Sequence, residues 1–469
     1  METRPAEQTP KKASHDAETP SALIEFLSSG WIDEQPASEA LPNCENYRAR
    51  REALSRAYPG SYLVIPCGEE QVRANDTNFR FRPSSDFAYL VGGGDPGAVL
   101  VLEPDGSKHD SLLFVAAHNR GEAEFLTDRV YGELWVGRHR GVEESKHYYG
   151  VENARPIAQA KSYLEELKTS GFNVKNVAHD SDFATHLGEM RLIKDDIEIA
   201  ELRKCCEITK RAFEDVIRIL PSAKSEREVE AAFWSRARIE ANDVGYLTIA
   251  ASGAHACTLH WNHNTGKLDK QALLLLDAGV EVESLYTADI TRTLPIGGKF
   301  SAEQRTVYNL VYEAQQAAFA AVTPGNDFLE PHRSAMKVLA QGLIDLGILK
   351  MSLEEALDPD RQFYRRYTLH GVSHMLGIDV HDCAKARSEN YRHGALKTGM
   401  VLTVEPGLYF QPDDATVPEK YRGIGVRLED DVVVTATGYE NLSGIFPVKP
   451  DDVEAWMRNV TGRLNAKGG

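Results

Sequence analysis

Four apolar, β-prone segments in the C-terminal half of this chain carry ionisable residues where core residues would be expected. They are LLLLDAGVEVESLYTADITRT (273–293), LHGVSHMLGIDVHD (369–382), GMVLTVEPGLYF (399–410) and GIGVRLEDDVVVT (423–435). The residues are Asp277, Asp289, His374, Glu405 and Glu429. An unpaired carboxylate on a buried strand is costly. Either these acids lie on solvated edges, or the four segments converge on a shared cation. Singly, each has an ordinary explanation. Asp277 can cap a turn, Asp289 can be solvated, Glu405 can sit on an edge strand, and Glu429-Asp430-Asp431 can be an exposed bend. Their joint occurrence favours convergence.

Four carboxylates and one imidazole, without thiolate, form a hard ligand set. It favours Mn²⁺, with Co²⁺, Fe²⁺ or Zn²⁺ as substitutes. Five such ligands suit two divalent ions about 3.5 Å apart, which lower the pKa of a shared water and polarise a carbonyl or phosphoryl oxygen. The expected chemistry is hydrolysis. LLLLD reads as a strand ending in Asp277, AGVEVES as a turn, and SLYTADITRT as the returning strand. An aligned register would set the two aspartates facing each other across the ladder. His370, His374 and His381 cluster with Asp379 and Asp382 in a stretch whose Gly371 and Gly377 argue against a regular helix.

A chain of 469 residues exceeds one ordinary core, so at least two domains are expected. The net charge of -17 argues against nucleic acid as a partner, because phosphate binding needs a basic face. The six cysteines show no CxxC and no regular spacing, which suits reduced thiols. The first twenty residues lack an apolar signal core, and no apolar run is long enough to span a membrane. A cytoplasmic protein without membrane contact is expected.

Residues 1–40 read as a polar extension, partly disordered, with a short amphipathic helix over 21–31. Residues 41–190 read as an α/β domain: a helix over 46–58, then strands over 61–67, 86–91, 97–106 and 111–116. Residues 191–460 read as an α+β domain. Asp195 with Glu198, Ser225 with Glu228, and Ser301 with Gln304 mark three capped helix starts. Ile197, Leu202, Cys205, Ile208, Phe213 and Ile217 recur at helical spacing after the first. Inspection finds no internal repeat, though such a sheet can conceal a structural duplication.

In the order Asp, Asp, His, Glu, Glu, the four segments resemble the metal-binding signature of the pita-bread metallopeptidases. The closest branch is aminopeptidase P, on VPEKYRGIGVRLEDDVVVTATGYENLS (417–443), RFRPSSDFAYLVGGGDPGAVLVL (80–102) and GELWVGRHRG (132–141). The resemblance implies a C-terminal pita-bread catalytic domain behind a smaller α/β domain. It implies an enzyme that hydrolyses the N-terminal Xaa-Pro bond of peptides by attack of a metal-bridging hydroxide. A prolidase limited to Xaa-Pro dipeptides is the alternative, and a non-catalytic peptide-binding module a third. Asp277 would bind one metal, Asp289 and Glu429 would bridge, and His374 and Glu405 would hold the other. Glu405 would also act as general base. His381 and His260 match histidines that contact substrate, His370 a residue beside the proline pocket, and Arg427 an arginine that orients carboxylates. Tyr246 would line the site. Trp135 matches an aromatic lent by a neighbouring subunit, which implies a homodimer or homotetramer. Asp277 and Asp289 stand one residue further apart than the family pattern, an insertion expected near Glu283–Ser284.

Overall fold

The computed structural model of the protein describes residues 19–32 and 39–467. The extension expected over 1–40 lies largely outside the described residues. Within it, Ser21–Leu27 is a helix with no buried residue. The chain divides into two compact units, Met1–Asn176 and Val177–Gly469. The helix Ser181–Met190 falls in the second unit, so the division precedes the boundary expected at 190. Arg387 clasps Glu189 near its C-terminal end at 2.7 Å, which ties this helix to later sequence.

The first unit is built on a five-stranded mixed sheet. Its strands lie in the order Asn153–Pro156, Lys108–Val115, Val99–Asp105, Tyr62–Pro66 and Val174–Asn176. The central pairs are antiparallel and both edge pairs parallel. Ala160 and Leu167, on the helix Ala160–Thr169, pack on Val64, Val101, Leu112 and Phe114. One expected strand is corrected. DFAYLV lies in the helix Ser85–Val91, capped by the Ser84 hydroxyl, which accepts from the Phe87 N–H. Asp86 through Val91 are all buried. A short run buried on every side carries no periodicity, so the cap decides its form.

The second unit repeats one order twice: a pair of helices, then strands. Asp196–Ile219 and Glu226–Glu240 pack together ahead of the sheet Ile249–Ser252, Leu273–Asp277 and Thr291–Pro295. Ala302–Ala321 and Glu330–Asp345 pack together ahead of the sheet Val401–Val404, Asp430–Val434 and Tyr439–Asn441. The capping boxes at Asp195 and Ser301 both form. Ser225 has no such box; its helix starts instead with the buried Glu226. In Asp196–Ile219, Leu202, Cys205, Ile208, Phe213 and Ile217 are buried, and Phe213 meets Phe233 and Phe446 edge-on.

Candidate metal centre and catalytic cavity

The first hairpin places both aspartates on one face, though not opposite each other. Asp277 pairs with Thr291. Ala278 N–H donates to Ile290 O and Ala288 N–H to Val280 O, so the same register sets Asp289 against Gly279. A Cβ at Gly279 would stand 1.7 Å from Ala288 O, so only glycine fits there. The expected head-on pairing is thus replaced by a diagonal one. At the tip, Leu285 N–H donates to Val282 O, Val282 N–H donates to Tyr286 O, and Leu285 takes φ 68°. That is a three-residue loop with a left-handed third position. In such a hairpin, residues an even number apart share a face. Asp277 and Asp289 are 289 − 277 = 12 apart, so the extra spacing matches the loop.

Head-on pairing occurs in the second hairpin instead. Val404 pairs with Asp430 and Gly407 with Arg427, in one continuous register. Glu405 therefore falls opposite Glu429, both at breaks between strands. All three consecutive acids are buried, which rules out the exposed bend. Arg292, itself buried, donates to Asp430, and Asp431 accepts from the Asp289 N–H at 3.1 Å.

His374 Nε2 lies 3.3 Å from Asp289 Oδ2 and 3.5 Å from Glu405 Oε1. Asp289, His374 and Glu429 each offer a ligand atom, all within 4.8 Å of one another. The Tyr246 hydroxyl is 2.7 Å from Asp277 and 2.5 Å from Asp289. It has one proton and can donate to only one of them. Arg427 donates to Asp277, to Thr291 Oγ1 and to the Tyr409 hydroxyl, and Thr291 donates to Glu429 at 2.6 Å. His370 meets the Tyr409 hydroxyl at 2.7 Å and Glu405 at 3.3 Å.

Electrostatics show what this cluster is suited to hold. Burial, then the charges of Asp289, Glu405 and Asp277, push Glu429 well above the usual carboxylate range. Burial also raises Asp277, against the pull of Arg427. Burial opposes the charged form of Glu405, but the His370 hydrogen bond and the charges of His370 and His374 outweigh it and hold Glu405 at about 2. Burial likewise opposes His374, but Asp289 and Glu405 lift it to about 9. Burial and then the neighbouring His374 lower His381. Acids that must take up protons to coexist are relieved by cations, and the oxygen-rich donor set with one imidazole fits hard divalent ions.

Tyr246, Asp277, Asp289, His370, His374, Glu405, Arg427 and Glu429 line a cavity of about 560 Å³, together with Leu247, His260, Asn262, His381 and Arg392. Every C-terminal candidate residue thus reaches one site. Trp135 belongs to the first unit, where it is about half exposed. Tyr409, Thr291, Arg392 and Leu247 were not anticipated. Tyr409 alone had a signal, as the last residue of the strand that follows Glu405.

Residues 200–436 match the model of metallopeptidase family M24, and residues 47–177 match that of the aminopeptidase P N-terminal domain. The chain belongs to metallopeptidase family M24 and is a hydrolytic enzyme. Within that family its architecture is that of aminopeptidase P, an N-terminal domain followed in sequence by a pita-bread unit. It is 46% identical to Xaa-Pro aminopeptidase 1 of Streptomyces coelicolor, over 94% of this chain and 92% of that one. Xaa-Pro aminopeptidase of Escherichia coli is 34% identical, over 88% of this chain and 97% of that one. A solved structure of a variant E. coli aminopeptidase P in complex with substrate has TM-score 0.80 at 32% identity, covering 90% of this chain and all of the other. Among the described residues, no helix is long and apolar enough to cross a membrane.

Proposed function

We propose that the protein is a dinuclear-metal aminopeptidase that releases the N-terminal residue from peptides with proline second. The observation that carries this reading is the convergence of Asp277, Asp289, His374, Glu405 and Glu429 on one cavity that three further histidines also line. Those five residues would hold two divalent ions, with Mn²⁺ favoured by the donor set. When bound, the ions supply a water of lowered pKa and polarise the scissile carbonyl.

The chain's own residues do the rest. Glu405, held ionised by its neighbours, serves as general base. His381 and His260, which both line the cavity, would hydrogen-bond the carbonyl oxygen as charge develops on it. His370 with Tyr409 forms a wall for the proline ring, and Arg427 orients Asp277. An Xaa-Pro bond has no N–H to donate, so a site that demands none can accept it. The Tyr246 hydroxyl lies against both aspartates and donates to one of them at a time.

A homodimer or homotetramer is part of the proposal, supported by the exposed run Leu134-Trp135-Val136. A cytoplasmic location is also part of it, supported by six unpaired cysteines, five of them buried. The test is a comparison of Xaa-Pro-Yaa peptides with Xaa-Pro dipeptides under Mn²⁺, with the bound metal quantified. Release of Xaa from the longer peptides supports the reading, and cleavage of dipeptides alone would make the protein a prolidase. Metal near zero with no Mn²⁺-stimulated cleavage would leave a peptide-binding module.

A further inference from the structure

Glu226 is a fully buried carboxylate with four protein donors. It opens the helix Glu226–Glu240. Its Oε1 accepts from the Ser252 N–H at 2.8 Å and meets His255 Nδ1 at 2.8 Å. Its Oε2 accepts from the Trp261 indole N–H at 2.8 Å and from the Gly266 N–H at 2.6 Å. The Glu226 N–H donates in turn to Gly266 O at 3.0 Å. A Cβ at Gly266 would come within 2.6 Å of the carboxylate, so the close approach needs glycine.

These partners bracket one segment. Ser252 ends the strand Ile249–Ser252, and Gly266 lies where the chain returns. His255 and Trp261, stacked at 3.9 Å, stand between them. Asn264 fastens the same stretch from the strand side, accepting from Ala250 N–H and donating to Thr248 O, each at 2.9 Å. At the middle of the segment is His260, exposed and lining the catalytic cavity. Among the described residues no side chain or backbone group hydrogen-bonds the His260 ring. Its place is set by the backbone that carries it.

We propose that Glu226 is a positioning residue for peptide hydrolysis: its carboxylate fixes the backbone on both sides of His260 and so holds that imidazole over the cavity. A buried carboxylate accepting four hydrogen bonds is a rigid anchor, because losing any acceptor strands a donor in the core. Glu226 touches neither the proposed metal ligands nor the cavity. The inference rests on the reading of His260 as a substrate contact.

A double-mutant cycle separates the two. Glu226→Gln sets an amide N–H₂ against donors and removes two acceptor sites. We expect kcat to fall on the order of 10²-fold, as for a displaced catalytic group, with KM changed less and bound metal unchanged. In a His260→Ala background the same change should cost less than about threefold, since the group it positions is gone. Trp261→Phe keeps an aromatic ring against His255 and removes one bond to Glu226. It should give a smaller loss in kcat that also vanishes in the His260→Ala background, and it serves if Glu226→Gln does not fold. A real loss in His260→Ala combined with multiplicative losses in both cycles would overturn the inference alone. Wild-type turnover in His260→Ala would overturn the role of His260 and the inference together.

Discussion

Tyr246 sets one hydroxyl against two buried carboxylates, a contact that one proton cannot satisfy on both sides. The proposed ions would take up the charge that the proton cannot. Tyr246→Phe is therefore expected to weaken metal affinity by about 10- to 100-fold, the usual range for a residue that orients ligands. Titration of metal-free protein with Mn²⁺ measures it, and an unchanged affinity would count against the shared-hydroxyl role. His374→Ala and Glu405→Ala remove proposed ligands and should abolish both metal retention and turnover. His381→Ala should lower kcat roughly 10²- to 10³-fold while metal stays bound. Loss of metal in that variant would make His381 a ligand.

Short elements hold the site segments through a few buried ionic contacts. Lys194, wholly buried just before the helix Asp196–Ile219, donates to Asp382 at 2.8 Å, and Arg191 stands 3.4 Å from the same carboxylate. Asp382 follows His381, and its N–H donates to Met375 O beside His374. Burial would raise Asp382, but the charges of Lys194 and Arg191 outweigh it and its pKa is lowered. A lowered folded pKa gives stability that is present above the ordinary aspartate range, near about 4, and lost as pH falls through the folded value. Lys194→Met should cost about 3 kcal/mol at neutral pH. It should also move acid unfolding to higher pH, because Asp382 then takes up its proton earlier. Urea melts from pH 2 to 8 read both effects, and parallel curves for variant and parent would refute the pairing. Asp195→Ala removes a capping box and should cost about 1 kcal/mol, lowering Tm by roughly 2 °C. That box was legible because its residues are three apart in sequence. The helix over 85–91 was not, because an apolar run without period fits either form.

Across the whole molecule, buried like charges make folding and metal binding one equilibrium. Metal that binds only the folded state stabilises it by about 2.7 kcal/mol at a hundredfold excess over Kd. Chelation should therefore lower Tm by several degrees, and Mn²⁺ should restore it. A Tm indifferent to chelator, in protein shown to have lost metal, would disprove the coupling. The sequence by itself determined the family, the candidate ligand types and two of the three expected capping boxes, because residue chemistry, motif order and spacing of three or four are local properties. The tertiary structure decided the rest. Register made Glu405 and Glu429 the facing pair and set Asp277 diagonal to Asp289. Packing drew Tyr409 and Thr291 into the site, and one buried carboxylate at Glu226 gathered the loop of His260. Contacts between residues far apart in the chain leave no periodic trace in it, since the energy that selects them exists only once the segments meet.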